Sequence, residues 1–265
     1  MIAVYSLIVY ILAYIGLFFL SFYAISFVKR GKDDLPLNKT DKSVSIIIPA
    51  YNESASIEKT VRSALALDYP KDKLEIIVVD DGSKDNTYEL AKKLESSQVR
   101  VFRKENGGKA TALNYGIGKS KGEIIVSMDA DTFAEPPALN RMIARFYHKD
   151  VMAVTASIAI YNPRTIWQRI QHIEYYLTVF LRRSFSLVNS IYITSGAFSA
   201  YRKSFFEKHG GFDVGNITED LEIALRIQSL DYVIEYAPNA VLFTLGPASF
   251  QELLYQRRRW YVGLM

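Results

Sequence analysis

The sequence predicts an α/β fold with a mainly parallel sheet, preceded by one transmembrane helix. Between residues 43 and 128, short runs rich in Ile and Val alternate with segments of helical periodicity. These runs are almost continuously apolar, as is typical of strands that helices cover on both faces of a sheet. Before them, residues 1–28 contain no charged side chain. Length and composition together favour one main domain behind a membrane anchor.

The anchor is the first element, and its length decides between the alternatives. A membrane span needs about 20 apolar residues, whereas a signal peptide has a charged start and an apolar run of only about 7–15 residues. A buried core helix rarely runs this far without a charge. Lys29, Arg30 and Lys32 follow directly, which predicts that the remaining chain lies on the cytoplasmic side of the cell membrane. Residues 29–42 are polar and typical of a linker.

The main domain is expected over residues 43–248, with strands and helices in alternation. We expect strands at 44–48, 74–79, 99–102 and 124–128, and helices at 57–65, 87–94 and 110–117. A polar cluster follows each strand: Pro49 to Glu53, Asp80 to Ser83, Asn106 to Lys109, and Asp129 to Asp131. Ligands of such sheets bind beyond the carboxyl ends of the strands, so the four clusters are expected to meet at one edge.

The composition excludes several classes of site and partner. There is no cysteine, which rules out disulfides, thiolate metal sites and cysteine nucleophiles. The 32 Lys and Arg against 28 Asp and Glu leave a charge of +4, too small an excess to indicate a nucleic-acid partner. The glycine motifs of P-loop ATPases and Rossmann dinucleotide sites are absent from the sequence.

Asp129 and Asp131 are the candidate metal ligands. They stand one apart at a strand end, where the alternation of side chains would place both carboxylates on the same side. Hard oxygen ligands suit Mg²⁺ or Mn²⁺, and Mg²⁺ commonly takes one or two carboxylates together with substrate phosphates. Taken alone, the motif is equally compatible with a solvated turn.

Two further clusters have the chemistry of a nucleotide site. The carboxylates of Asp80 and Asp81 can accept hydrogen bonds from a base or ribose, although Asp-Gly-Ser is also common turn chemistry. Gly107 and Gly108 offer backbone N–H groups at a helix start, and Lys109 adds an ammonium, a combination that holds diphosphates. The alternative for this segment is a simple glycine-rich turn.

Three helical patterns complete the second half of the chain. Glu219 and Asp220 precede a helix at 221–230, where acids also stabilise a helix N-terminus. Residues 166–188 are amphipathic and predict either a packing helix or a helix in the membrane interface. The segment 249–265 is interpreted as an interfacial helix with three residues on one face, namely Gln256, Arg259 and Trp260.

Taken in chain order, these motifs resemble those of the inverting family 2 glycosyltransferases with the GT-A fold. The likeness is to the membrane-bound processive branch, which makes cellulose, chitin, hyaluronan and poly-N-acetylglucosamine. The matching motifs are Pro49 to Glu53, Val79 to Asp85, Gly107 to Ala110, Asp129 to Asp131, Ser195 to Arg202, Thr218 to Asp220 and Gln256 to Trp260. Synthases of that branch continue past the last motif into further transmembrane helices, whereas the sequence ends at Met265.

The resemblance implies a role for each candidate residue. The residues expected at the nucleoside are Tyr51, Glu53, Asp80 and Asp81, and Pro49 is expected to be a further substrate contact. The cations expected at the diphosphate are Lys109 and Arg259, beside Mg²⁺ or Mn²⁺ on Asp129 and Asp131. Asp220 would be the catalytic base, and the other substrate contacts would be Ser195, Gly196, Glu219, Gln256 and Trp260.

The expected activity is transfer of a sugar from a nucleoside-diphosphate sugar, with UDP-sugars favoured, to a hydroxyl of a growing polysaccharide. A carboxylate would take the acceptor proton while a metal and cations stabilise the leaving diphosphate, and one displacement inverts the anomeric carbon. The alternatives are a single transfer to a polyprenyl phosphate or glycolipid, and a non-catalytic membrane-bound sensor of nucleotide sugars. The expected partners are therefore the donor, a carbohydrate or lipid-linked acceptor, and the lipid bilayer, without nucleic acid.

Overall fold

The computed structural model describes residues 2–28 and 42–263. Its helices are α1 (Ile2–Val28), α2 (Ile57–Leu65), α3 (Thr87–Lys92), α4 (Lys109–Lys119), α5 (Ala138–Ile143), α6 (Ile166–Ser186), α7 (Lys203–His209), α8 (Glu219–Ser229) and α9 (Phe250–Gly263). Its strands are β1 (Val44–Ala50), β2 (Leu74–Asp80), β3 (Val99–Arg103), β4 (Ile124–Met128), β5 (Thr132–Ala134), β6 (Val151–Ile160), β7 (Phe198–Arg202) and β8 (Val233–Thr244). The predicted basic flank Lys29, Arg30 and Lys32, and the predicted linker as far as residue 41, lie outside the described residues.

The strands of the described chain form one sheet in the order β3-β2-β1-β4-β7-β6-β8-β5. β1, β2, β3 and β4 run parallel to one another, as do β6 and β8. β7 is antiparallel to β4 and β6, and β5 is antiparallel to β8. The predicted α/β class and its four parallel strands are confirmed. The antiparallel pairings all involve strands after residue 128, for which the sequence pattern had predicted no strand.

The sheet lies between two apolar layers, which explains why its central strands lack the alternation of a half-exposed strand. Along β1, Ile46 and Ile48 pack into one layer while Ile47 packs into the other, and all three are fully buried. Burying one such side chain contributes about 1.5–3 kcal/mol, so β1 is a major source of stability. This rigid centre carries the first polar cluster at its carboxyl end.

α1 is long and apolar enough to cross a membrane over Val4–Ile25, with a mean hydropathy of 2.2, and no other described helix is. No residue of that segment is fully buried, so the alternative of a buried core helix does not hold. The end of α1 contacts α6, because the ring centroids of Tyr23 and Phe180 lie 5.5 Å apart and those of Phe22 and Phe185 lie 6.4 Å apart.

α6 has an unusual distribution of polar and apolar side chains. Its apolar row is exposed along the first three turns, at 61% for Ile166, 68% for Ile173 and 57% for Leu177. The buried residues of this helix are polar instead, namely Gln171 and Ser184. An ordinary packing helix would bury its apolar row, so packing against the domain does not account for this pattern.

Candidate active site

The polar clusters meet at the carboxyl ends of β1, β2 and β4, as expected for this sheet. Lys109, the first residue of α4, connects them. Its ammonium Nζ lies 2.7 Å from Asp129 Oδ1 and 2.9 Å from Glu219 Oε1. Burial alone would lower the pKa of Lys109, but the neighbouring carboxylates raise it above its ordinary value. Lys109 therefore remains charged and joins the Asp129 loop to the start of α8.

The Ser195–Gly196 segment lies directly against this cluster. A methyl group placed on Gly196 would come within 3.2 Å of both Asp220 Oδ2 and Lys109 Nζ. The backbone N–H of Ser195 donates to Thr155 Oγ1 at 2.9 Å, which attaches the segment to β6. The buried Ser195 hydroxyl has no hydrogen-bond partner among the described residues. The segment thus forms one wall of the site, where only a small residue fits.

Asp220, the proposed base, is firmly positioned at the start of α8. Its Oδ1 accepts a hydrogen bond from the backbone N–H of Leu221 at 3.0 Å. The Thr194 hydroxyl donates to the Asp220 carbonyl at 3.0 Å and also bonds the Tyr201 hydroxyl at 2.9 Å. Burial and the adjacent Glu219 raise the pKa of Asp220, while Lys109 opposes that shift. A carboxylate with a raised pKa is a stronger base than a free one.

The Asp129–Asp131 segment differs from the sequence-based expectation. β4 ends at Met128, and Asp129 opens a turn in which the Thr132 N–H donates to the Asp129 carbonyl at 3.1 Å. The turn is buttressed by the Thr60 hydroxyl, which donates to the Ala130 carbonyl at 2.7 Å. The two carboxylates are therefore brought together by a turn, and the argument from strand alternation was wrong.

The environment of Asp131 fits a divalent cation. Burial, together with the Asp129 and Glu53 carboxylates, raises the pKa of Asp131 to about 6, although Lys109 opposes the shift. Such an excess of negative charge in a buried place is relieved by a hard cation with oxygen ligands. Within residues 42–263, no three His, Asp or Glu side chains form a complete metal cage. A cation held by Asp129 and Asp131 would therefore complete its coordination with substrate phosphates.

The segment after β1 forms the neighbouring half of the site. Pro49 lies within β1 opposite Val79, and Tyr51 is 43% exposed just beyond the strand end. The Glu53 backbone N–H donates to Thr87 Oγ1 at 2.7 Å. Burial raises the pKa of Glu53 although Ser56 donates a hydrogen bond to its carboxylate at 2.7 Å. Glu53 thus adds a carboxylate on the side where Asp131 lies.

Asp80 and Asp81 have different surroundings. Asp80 is fully buried, and its Oδ2 lies 3.1 Å from Arg103 Nε and accepts a hydrogen bond from the Ser83 N–H, while its Oδ1 has no partner among the described residues. Asp81 is also buried, and its Oδ1 lies 2.6 Å from Lys104 Nζ. Asp80 therefore has one buried carboxylate oxygen without a partner among the described residues, whereas Asp81 is bound by its own loop.

The glycine N–H groups do not take the position predicted for them. Gly108 donates its N–H to Asp81 Oδ2 at 2.8 Å, and the Gly107 N–H also points at that carboxylate. Gly108 adopts a φ of 89°, a conformation that favours glycine. Because a buried carboxylate needs donors, these N–H groups stabilise Asp81 and are not directed at a diphosphate. Of this motif, Lys109 alone reaches the acidic cluster.

α9 packs against α6 through several side chains. Gln171 Nε2 donates to Gln256 Oε1 at 2.7 Å, and the Trp167 and Phe250 ring centroids lie 5.0 Å apart. Arg257 pairs with Glu174 on α6, and its guanidinium lies 4.4 Å from the centre of the Trp260 ring. Arg259, which was predicted to bind the diphosphate, is exposed. The structure thus turns Arg257, and not Arg259, toward α6.

Sequence reasoning missed the polar residues of α6 that face the site. Tyr175 is buried enough for its pKa to rise to about 12, and it lies near both Arg257 and Asp131. Gln171, one turn earlier, is fully buried beside it. The available signal was their spacing of four residues on the side opposite the apolar row, which places both on one helix face.

The sequence profile described as "Glycosyl transferase family 2" matches residues 45–210, more than half of the chain and most of the site just described. The chain belongs to glycosyltransferase family 2. This confirms the resemblance inferred from the ordered motifs. The matched residues of this family 2 domain include the Asp80, Lys109, Asp129 and Gly196 regions, while Asp220 and α9 lie beyond the matched part.

Curated relatives extend the likeness to nearly the whole chain. The chain is 35% identical over 243 residues to the poly-β-1,6-N-acetyl-D-glucosamine synthase of Staphylococcus aureus strain COL, covering 90% of this chain and 58% of that protein. It is 36% identical to the synthase of the same name from Staphylococcus epidermidis, covering 84% of this chain and 54% of that protein. The chain therefore spans a little over half the length of these relatives.

Solved structures share the same fold. A mannosyltransferase from Pyrobaculum calidifontis, in complex with GDP-mannose and Mn²⁺, has a TM-score of 0.75 and 26% identity, with 92% of this chain and 69% of that chain covered. S. aureus TarS residues 1–349 in complex with UDP-GlcNAc has a TM-score of 0.61 and 20% identity, with 80% of this chain and 60% of that fragment covered. The predicted GT-A fold is thereby confirmed for the family 2 domain.

Proposed function

We propose that this chain is a membrane-anchored, metal-dependent glycosyltransferase that moves a sugar from a UDP-sugar to a hydroxyl of a growing polysaccharide, with inversion. The observation that carries the proposal is the Lys109 cluster. One cation contacts Asp129 of the metal-binding turn and Glu219, and the Gly196 wall lies against both Lys109 and Asp220. The carboxylates needed for the metal and for the base thus lie in a single cluster.

The reaction is a single displacement at the anomeric carbon. Asp220 takes the proton of the acceptor hydroxyl as its oxygen bonds to that carbon, and the bond from the carbon to the diphosphate oxygen breaks. The leaving diphosphate keeps the electron pair of that bond. Lys109 stabilises the developing negative charge, because a cation held in place beside the reacting atoms needs no reorganisation as the charge forms. A divalent cation on Asp129 and Asp131 would supply further charge stabilisation to the diphosphate.

The relatives support the choice of substrates. The named poly-β-1,6-N-acetyl-D-glucosamine synthases are 35–36% identical and cover most of this chain, which favours UDP-N-acetylglucosamine as donor and a polysaccharide as product. The mannosyltransferase of similar fold was solved with a nucleoside-diphosphate sugar and Mn²⁺, which supports a divalent cation in the proposed site. Either Mg²⁺ or Mn²⁺ fits the oxygen ligands of Asp129 and Asp131.

A location at the cytoplasmic face of the cell membrane is part of the proposal. α1 supports a transmembrane anchor, and the Lys and Arg that follow it in sequence support the cytoplasmic side. The exposed apolar row of α6 and the exposed Phe250, Leu254 and Tyr255 of α9 support contact with lipid beside the anchor. The catalytic domain would then lie directly against the membrane surface.

Asp220→Asn tests the function directly. Asn keeps the shape but removes most of the basicity, so donor and metal binding should persist while sugar transfer slows by roughly 10²–10⁴-fold. Purified protein in detergent would be supplied with UDP-N-acetylglucosamine and Mn²⁺, and donor affinity, UDP release and product length would be measured. Polymeric products support polysaccharide synthesis, whereas a single added sugar on an added lipid supports the lipid-acceptor alternative.

Glu222→Gln is the matched control, because Glu222 is also an acid in the first turn of α8. If Asp220 merely stabilised the helix start, both variants would lose about 1 kcal/mol of stability and keep near-normal turnover. If Asp220→Asn transfers sugar at the parental rate, Asp220 is not the catalytic base. If the parent protein neither binds the donor nor releases UDP, the proposed glycosyltransferase activity is wrong.

A further inference from the structure

A cavity lies between α6 and the segment that precedes the Gly196 wall. It holds about 330 Å³ of space, part of it open to solvent, and its lining includes Arg182 and Phe185 of α6 together with Tyr192. The cavity itself has a volume of only about 50 Å³, which is room for a few water-sized groups such as the oxygens of one phosphate, and a longer chain would leave it through its open side. None of its lining residues belongs to the donor, metal or base positions described above.

Arg182 is the single charged residue in that lining. Its guanidinium donates one hydrogen bond to the Ala156 carbonyl at 3.3 Å, and its buried Nε has no partner among the described residues. No carboxylate of the described chain pairs with it. Burial lowers the pKa of Arg182, although Tyr236 and Asp220 oppose that shift. Arg182 is half-buried, and desolvating a cation that has no ion-pair partner is costly, so an anionic ligand would offset this cost.

The other end of the cavity is apolar and faces the anchor. The Phe185 ring contacts Phe22 of α1, with centroids 6.4 Å apart, and Tyr192 with centroids 5.8 Å apart. The cavity therefore runs from the end of the transmembrane candidate to the half-buried guanidinium of Arg182. A ligand that matches both ends has an anionic head and an apolar chain.

We propose that this cavity binds the phosphate head of a membrane lipid, with Arg182 on the phosphate and the first chain carbons along Phe185 and α1. Arg suits this role because its planar guanidinium donates two parallel hydrogen bonds to phosphate oxygens. The contact between α1 and α6 places the site where lipid heads are found, provided that α1 spans the bilayer as proposed. Binding of this lipid does not require sugar transfer and is measured without donor.

The test uses the purified chain in detergent micelles, with short-chain dioctanoyl phosphatidic acid as the probe. Dioctanoylglycerol, which lacks the phosphate, and inorganic phosphate, which lacks the chains, separate the two parts of the ligand. We expect saturable binding of phosphatidic acid only, weakened at least tenfold in Arg182→Gln. Arg169→Gln is the matched control, because Arg169 lies exposed on the same helix, and it should bind like the parent.

Several outcomes would overturn the proposal. Equal binding by Arg182→Gln and the parent would exclude the guanidinium, and equal losses in Arg169→Gln would indicate unspecific attraction of charge. Inorganic phosphate that displaces the lipid at equal concentration would make this a site for free anions. If Arg182→Gln does not fold, a phosphatidic acid with a photoactivatable chain is applied to the parent instead. Labelling at residues 178–193 supports the site, and labelling confined to other segments contradicts it.

Discussion

Gly196→Ala should slow sugar transfer without unfolding the protein. The added methyl group would lie 3.2 Å from Asp220 Oδ2 and 3.2 Å from Lys109 Nζ, while ordinary contact distances begin at 3.4 Å. Both atoms are the tips of side chains, so they can move by a few tenths of an ångström while the backbone stays in place. That movement, however, shifts the base and the cation of the proposed site together.

The expected magnitude follows from this displacement. A misplacement of about 1 Å costs about 10²-fold in rate, so a few tenths of an ångström should cost about three- to tenfold. That loss corresponds to about 0.6–1.4 kcal/mol in the activation barrier. Donor affinity should change less than turnover, because the Asp80 and Asp131 parts of the site do not contact Gly196.

The assay compares steady-state UDP release and melting temperature for three proteins in the same detergent. Gly118→Ala is the matched control, because Gly118 lies within α4 and its added methyl group would have no neighbour within 4 Å. Alanine there should keep the parental rate and raise stability by about 0.5–1 kcal/mol, since glycine weakens a helix interior. Parental turnover in Gly196→Ala would refute the idea that this wall sets the positions of Lys109 and Asp220.

Three further predictions concern the metal, pH and the membrane. Asp131→Ala should abolish the metal-dependent part of donor affinity, measured by calorimetric titration of the donor with and without Mn²⁺. A variant that still binds the donor more tightly with Mn²⁺ than without it would contradict this prediction. Burial alone would raise the pKa of Glu75, but hydrogen bonds from Ser45, Lys121 and Arg100 hold it below its ordinary value of 4.5. The free energy of unfolding of the parent should therefore exceed that of Glu75→Gln by about 1–2 kcal/mol at pH 7. The melting temperatures of the two proteins should converge as pH falls below 4.5, because the Glu75 carboxylate is then protonated. A difference in melting temperature that does not change with pH would contradict this role of Glu75. Removing residues 1–28 should leave a domain that floats with liposomes through α6 and α9, and recovery wholly in the soluble fraction would argue against interfacial helices.

The first half of the domain could be predicted well because its signals are local. Continuous Ile and Val runs identified β1 to β4, and the polar residues after each strand fall at the same edge in any parallel sheet. The antiparallel strands β5 and β7 pair with residues distant in sequence, and a periodic pattern in one segment does not specify such partners. Sequence reasoning therefore located the edge that carries the site but not the full order of the sheet.

The contacts within the site were predicted less completely, for reasons that particular residues make clear. The Asp129–Asp131 turn depends on Thr60 of a distant helix, which no local rule includes. The sequence predicted that the N–H groups of Gly107 and Gly108 bind a diphosphate, whereas in the structure they donate to the Asp81 carboxylate. Arg257 and Arg259 are neighbours on one helix, so only the packing of α9 on α6 distinguishes them. The tertiary structure is therefore needed to determine which of several neighbouring side chains makes each contact.

The amide pair between Gln171 and Gln256 couples the substitutions that α6 and α9 can accept at these two positions. The amide nitrogen of Gln171 donates to the amide oxygen of Gln256, and Gln171 is fully buried. Replacing Gln256 alone by an apolar residue leaves the buried Gln171 amide nitrogen only its 3.4 Å contact with the Tyr175 hydroxyl, at a cost of up to about 1–3 kcal/mol, whereas replacing both with apolar residues of similar shape can be nearly neutral. Positions 171 and 256 should therefore change together among related sequences, so that the α6 residue evolves under the same selection as the motif on α9.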